Sequence, residues 1–357
     1  MNGLLWPQRA GDSVGVVSRA HKRSGGRAGL VPARDYWPTR GWRASVPEEQ
    51  GMDTGRLLAM RQHIEGELPH VRSVLIVRHG YLVFEAYAGE YDPDALQGLH
   101  SMTKSVTCAL VGIALQEGTL DALDQRVMAL FPEYAALDTD RRIEEITIEH
   151  LLTMTSGLVW HDEYLHGWLS SDDPARFTLK LPMAGEPGAG FNYNSSAAHL
   201  LSVILTRSTG ASALDFADER LFGPLGISER QWLADSRGHH IGAGGLFLRP
   251  RDMAKFGYLY LNQGEWASRQ IVPTDFVRES TRAQNPGGAP ENERYGYLWW
   301  VTTVEGHAAY FAGGYGGQLI YVVPDVDVVV VMTSNADRHH IENRAIVGEY
   351  VVAAIEE

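Results

Sequence analysis

The sequence predicts an α+β protein, with one sheet assembled from both ends of the chain, helices flanking it, and an all-helical domain inserted between the two halves. Three observations support this. A pair of β-rich runs, VRSVLIVRHGYLVFEAYAGEY, occupies residues 71–91. Similar runs return near the C-terminus as YGYLWWVTTV, HAAYFAGG, GQLIYVVP and VDVVVVMTSN. Between about residues 127 and 235 the pattern is one of helices and long loops. The expected division is an N-terminal extension over 1–42, an α/β domain from 43–126 and 236–357, and a helical domain over 127–235.

Each element has a local reason. Residues 1–42 are rich in Arg, Gly, Ser and Pro without sustained periodicity, so they read as an extension, either loose or laid over the surface. MDTGRLLAMRQHIEGEL has helical spacing, with Asp53 or Thr54 as its cap. His79-Gly80 joins the first two β runs as a hairpin. An apolar helix starts at about Ser101. ITIEHLLTMTSG and SSAAHLLSVILTRSTG supply helices of the middle part, on either side of a loop rich in Trp, His and Asp. Trp299 and Trp300 alternate faces on a strand, so one is expected to pack and the other to look outward. HIENRAIVGEYVVAAIEE closes the chain as a helix, and the pairs His239-His240 and His339-His340 are expected to be exposed.

Composition narrows the class. A chain of 357 residues with 44% hydrophobic and 21% charged residues is ordinary for a globular protein with a large core. A net charge of -13 offers no basic stripe, which weighs against nucleic acid or an anionic membrane as partner. The single cysteine, Cys108, excludes an intramolecular disulfide and fits a small buried hydrophobe. No uninterrupted apolar run is long enough for a membrane span. MNGLLWPQRAGDSVG lacks an apolar h-region and a cleavage site, so cytoplasmic residence is the expectation.

Three short segments carry chemistry. Of the 31 basic residues only Lys22, Lys104, Lys180 and Lys255 are lysine, and Lys104 stands three residues after Ser101 at the mouth of the apolar helix. Residues three apart share a helix face, so the two side chains can meet. A serine needs a proton acceptor to become a nucleophile. A desolvated lysine can serve where an arginine cannot. The competing reading makes Ser101 a helix cap and Lys104 a solvated charge. The second segment, GEPGAGFNYNSSAAHLL, sets Tyr193 just ahead of a helix. There it is either a base aimed into a cleft or a tyrosine packed at a domain seam. In the third, FAGGYGGQLIYVVPD, glycines interrupt an inner strand. That suits close approach to the backbone and an oxyanion-binding N–H, or else a plain hairpin turn or bulge.

In this order the three features resemble the serine β-lactamase and penicillin-recognising superfamily. The nearest branch is the class C-like one, with its esterases, D-aminopeptidases and 6-aminohexanoate-dimer hydrolases. HLLTMTSGL and GAGGLFLRPRDMAKFGYLYLNQGEW extend the resemblance, which runs from about Gly41 to the C-terminus. It implies a mainly antiparallel sheet with the site between sheet and helical domain. It also implies Ser101 as nucleophile with Lys104 beside it and Tyr193 as catalytic partner. The Tyr-x-Asn motif falls on Tyr193-Asn194-Ser195, the third motif on Ala312-Gly313-Gly314, and the oxyanion donors on the N–H groups of Ser101 and Tyr315. Ser195, Gly313 and Gly314 would then border the substrate, as would Trp160, His161, Tyr164 and Trp168 from LVWHDEYLHGWLSSDD. A structural surface loop is the alternative for those four, and the spacing of His161 and His166 matches no standard metal motif.

Two departures shape the expected activity. Ser195 replaces the Asn of the second motif, and Ala312 replaces the cation of the third. Loss of one charge-assisted hydrogen bond, about 1.5–3 kcal/mol, weakens binding of a β-lactam carboxylate by one to two orders of magnitude. The expectation is therefore a serine hydrolase that cleaves small carboxylic esters through an acyl-enzyme. An amidase on short linear amides or D-amino-acid peptides is the first alternative, and a catalytically silent scaffold the distant one. No metal or organic cofactor is required. The expected partner is a small-molecule ester or amide, with no nucleic acid or membrane, and the chain acts as a monomer or homodimer.

Overall fold

The computed structural model describes residues 34–89, 91–137, 139–161, 163–337 and 342–356. Most of the expected extension lies outside these residues, as do Asp162 and the His339-His340 pair. The main sheet has eight strands: β1 Val71–Arg78, β2 Tyr81–Tyr87, β3 Asn285–Gly288, β4 Glu293–Tyr295, β5 Trp300–Val304, β6 His307–Gly314, β7 Gln318–Val323 and β8 Val328–Ser334. Their spatial order is β2-β1-β8-β7-β6-β5-β4-β3, antiparallel throughout. The two ends of the chain meet where β1 pairs with β8, with Val74 opposite Met332 and Ile76 opposite Val330. All of β8, VVVVMTS, is buried, so both faces of the sheet are covered at its centre.

Four longer helices complete the frame: α1 Thr54–Glu67, α2 Thr103–Gln116, α3 Ser195–Thr209 and α4 Pro250–Leu261. Asp53 caps α1, its carboxylate accepting from Gly55 N at 2.6 Å. Helix α4 lies close on β7 and β8 because Gly257 has no side chain. A Cβ there would come within 2.6 Å of Val329 and 2.8 Å of Ile320. Helix α2 is buried nearly all round, which makes it the central helix of the molecule. Asn194 caps α3 through Ala197 N at 2.9 Å. No helix among the described residues is long and apolar enough to cross a membrane.

Residues 34–42 lie over the α/β layers. The Arg34 guanidinium forks onto Asp327 at 2.7 and 2.6 Å and donates from Nε to Asn262 at 2.7 Å. Trp37 packs against Trp266 and Tyr258, with ring centroids at 5.2 and 5.8 Å. Two expectations about surface residues need correction. Trp299 lies just before β5 and Trp300 opens it, and both are buried, each packed against aromatic groups. Trp299 packs on Tyr260 at 4.5 Å, and Trp300 on Tyr295 at 4.5 Å. His239 and His240 are half-buried, His239 being drawn to within 3.6 Å of the Asp235 carboxylate.

Candidate active site

A short strand, Gln97–Gly98, leads to the entrance of α2. It pairs with Leu246–Leu248, and Leu99 N continues the pairing by donating to Leu246 O at 2.8 Å. The chain then makes one tight turn, His100–Met102, that runs directly into α2. His100 sits at φ 47, a left-handed conformation that a residue with a side chain adopts only when its surroundings hold it there. Ser101 follows. It therefore stands at the helix mouth, as the sequence suggested, although regular α-helix begins two residues later.

The Lys104 ammonium lies 2.9 Å from Ser101 Oγ and donates to Ala243 O at 3.0 Å. Its side chain is 1% exposed, and this desolvation lowers its pKa to about 7. Lys104 is thus not the solvated charge of the competing reading. Its Nζ is 4.8 Å from the centroid of the Tyr193 ring. Burial pushes the Tyr193 phenol up, the hydrogen bond with Ser101 pulls it down, and the Glu291 carboxylate adds to the rise, so the net shift is upward. Trp300 stacks beneath Tyr193 at 5.6 Å and Tyr295 meets it edge-on at 6.2 Å. With Asn194 capping α3 immediately after it, Tyr193 is fixed from backbone and ring alike.

The glycine-rich segment forms the end of β6 and the turn into β7. A Cβ on Gly314 would fall 2.5 Å from Leu99 O, so only glycine lets this strand end approach the turn that carries Ser101. Tyr315 opens the turn, with Gly316 and Gly317 at φ 83 and 88. The side chain of Tyr315 reaches outward, its hydroxyl donating to Asp337 O and its ring 6.2 Å from His100. Its backbone directly follows Gly314. Beside Gly313 lies the Glu291 carboxylate, 3.3 Å from where a Cβ would be, with Arg344 Nε 3.5 Å from its other oxygen.

Ser101, Lys104 and Tyr193 thus come together from residues 92 apart in sequence, with Gly313, Gly314 and Tyr315 at their edge. Ser195 is the first residue of α3 and half-buried. Trp160, His161, Tyr164 and Trp168 form an aromatic cluster of their own. Trp160 meets Trp168 at 5.9 Å and Tyr164 at 6.2 Å, while His161 is exposed and 5.9 Å from Tyr164. Trp168 is buried against His199 at 5.4 Å. Among the described residues no group of His, Cys, Asp and Glu is arranged to hold a metal ion.

Residues 50–349, most of the chain, match the beta-lactamase family. The chain belongs to that family. The 6-aminohexanoate-dimer hydrolase of Paenarthrobacter ureafaciens is 25% identical over 288 residues, which is 73% of this chain and 71% of the relative. A solved structure from Bacillus anthracis, provisionally named a 6-aminohexanoate-dimer hydrolase, superposes with a TM-score of 0.75 at 20% identity, covering 88% of this chain and 87% of that one. A family VIII carboxylesterase does so with a TM-score of 0.66 at 15% identity, over 87% of this chain and 99% of that one. At such identities the structural likeness is one of fold, and the fold is β-lactamase-like.

Within this beta-lactamase-family frame, two contributors to the site were not singled out by sequence. One is the Ala243 carbonyl, which lies in the GAGG stretch that carried part of the resemblance. A backbone acceptor leaves no residue-type signature. The other is Trp300, whose role beneath Tyr193 depends on which covered face of β5 it occupies.

Proposed function

We propose that the chain is a serine hydrolase that cleaves small carboxylic esters through an acyl-enzyme on Ser101. The observation that carries this reading is the Lys104 amine 2.9 Å from Ser101 Oγ, buried enough to lose its proton near neutral pH. Neutral Lys104 takes the Ser101 proton as Oγ attacks the ester carbonyl. The backbone N–H groups of Ser101 and Tyr315 receive the oxyanion. The phenol of Tyr193, kept protonated by burial, donates to the departing alkoxide and recovers its proton from Lys104. Water then attacks the acyl group, the same groups take its proton, and carboxylic acid and free Ser101 result.

Alcohol leaving groups without an anionic neighbour suit the third motif. Ala312 supplies no cation, and the carboxylate bordering Gly313 is that of Glu291, whose other oxygen faces Arg344, so a β-lactam carboxylate meets an ion pair there rather than a cation offered by the third motif. The amide reading has one specific support, the dimer-hydrolase relative of this chain. A p-nitrophenyl ester series from acetate to octanoate, run beside nitrocefin and matched anilides on wild type and Ser101→Ala, tests both. Ester turnover that Ser101→Ala loses by at least about 10³-fold, with little nitrocefin cleavage, is the expected result. Retained turnover in folded Ser101→Ala would sink the mechanism, and anilides cleaved faster than esters would move the assignment to an amidase.

A further inference from the structure

A buried polar chain behind Lys104 connects α3 to the loop that carries Ala243. His199 on α3 is fully buried and faces two groups at once. Its Nε2 lies 3.0 Å from Asp235 Oδ2, and its Nδ1 accepts from the Gly242 backbone N–H at 3.2 Å. A backbone N–H can only donate. Nδ1 must therefore be the bare nitrogen, and Nε2 carries the proton given to Asp235. Asp235 Oδ1 accepts from Arg237 N at 2.8 Å and His239 N at 2.9 Å. Burial opposes a charge on Asp235, but hydrogen bonds from His199 and His239 outweigh it and hold the carboxyl below its ordinary range. Burial also lowers the His199 pKa, which favours the neutral ring.

The other side of the Gly242 peptide is held as well. Thr107 on α2 donates to Gly242 O at 2.8 Å, and Ser202 on α3 donates to His240 O at 2.6 Å. A Cβ on Gly242 would come within 2.7 Å of the Ser202 Cβ, so the loop is wedged between the two helices. The next carbonyl is Ala243 O, the acceptor for Lys104.

We propose that His199 and Asp235 are positioning residues for Lys104, holding the Gly242–Ala243 segment in one place so that the Ala243 carbonyl aims the lysine amine at Ser101. The inference rests on the reading of Ser101 and Lys104 given above. A neutral amine has two N–H bonds and one lone pair. Tied through one N–H to Ala243 O, it keeps the lone pair directed at the Ser101 hydroxyl. Without the tie it rotates, and the proton transfer loses its alignment. The titratable groups facing the imidazole are Asp235 and His239, and those facing Lys104 are Ser101 and Tyr193.

The test is the rate at which a fluorophosphonate labels Ser101 in the full chain between about pH 6 and 9, in wild type, Ser101→Ala, His199→Asn, His199→Gln and Asp235→Asn. The shorter amide of His199→Asn places an oxygen near the Nδ1 position and keeps an acceptor for Gly242. His199→Gln reaches Asp235 and leaves Gly242 without that acceptor. Asp235→Asn can donate to Nε2, which drives the ring proton to Nδ1 and sets two N–H groups against each other. Labelling is expected to fall by about tenfold or more in His199→Gln and Asp235→Asn and to stay within about threefold in His199→Asn. Wild-type rates in all three variants, or equal losses that track melting temperature, overturn the proposal. No Ser101 labelling in wild type would overturn the site reading itself. For variants that do not fold, ¹⁵N NMR of wild-type histidines decides. An unchanging Nε2–H tautomer for His199 supports the proposal, and an Nδ1–H tautomer or imidazolium refutes it.

Discussion

Replacing Lys104 with methionine or arginine removes the neutral amine on which the mechanism depends. The size of the effect follows from burial. With the lysine pKa lowered to about 7 by desolvation, about half of the amine is neutral at that pH, about one tenth a unit lower and about nine tenths a unit higher. The rate constant kcat/KM for an activated ester should climb about tenfold per pH unit below about 7 and level off above it. Arginine stays protonated throughout, and methionine has no base. Each should lose on the order of 10²–10⁴ in kcat/KM and the acid limb with it. Methionine is the cleaner variant, because a guanidinium is crowded by the Ala243 carbonyl 3.0 Å from Nζ.

The same substitution should raise stability while it removes activity. The folded value lies below the ordinary lysine value of 10.5, so between about 7 and 10.5 the unfolded chain holds a proton that the folded chain does not. Stability therefore rises with pH across that window, and below it the full penalty for burying the ammonium is present. Lys104→Met should stabilise the protein by about 3 kcal/mol more at pH 6 than at pH 9, read from urea unfolding. A flat pH–rate profile between about pH 5.5 and 8, or a folded methionine variant with more than about a tenth of wild-type activity, refutes the reasoning.

Other perturbations separate the parts of the site. Gly314→Ala puts a methyl group 2.5 Å from Leu99 O, so the strand end must retreat from Ser101, and ester turnover should drop by about tenfold or more with a small change in melting temperature. Unchanged kcat there would mean that the end of β6 takes no part in catalysis. Trp300→Leu removes the ring stacked under Tyr193 and should lower kcat by about tenfold, beyond the loss of about 1–3 kcal/mol in stability. Losses in Trp300→Leu that vanish on assay well below its melting point would make the contact purely structural. Arg34→Ala leaves Asp327 without its forked partner in a nearly buried place and should cost about 3–5 kcal/mol by urea unfolding while sparing kcat.

Periodicity in the amino-acid sequence was enough to find six of the eight strands and to place both chain ends in one sheet, but not the short strands β3 and β4. β-Branched runs such as VVVVMTS announce buried strands, and the His79-Gly80 turn between two such runs announces a hairpin. The pairing of Ser101 with Lys104 was equally legible, since residues three apart on a helix share one face. Tyr193 and the Gly313-Gly314 strand end reached the site through resemblance. Nothing local shows that a tyrosine 92 positions away will stack on Trp300 beside a lysine. One of Trp299 and Trp300 was expected to look outward, yet both are buried, because alternation tells which face a residue takes, not what covers that face. The protonation behaviour of Lys104 belongs wholly to the tertiary structure. The same side chain would be an ordinary ammonium on an open helix. Its pKa falls because α2 is enclosed, and its amine is held at Ala243 O by a loop wedged between α2 and α3. Desolvation and backbone acceptors are properties of surroundings, and a linear pattern of residue types does not encode them directly.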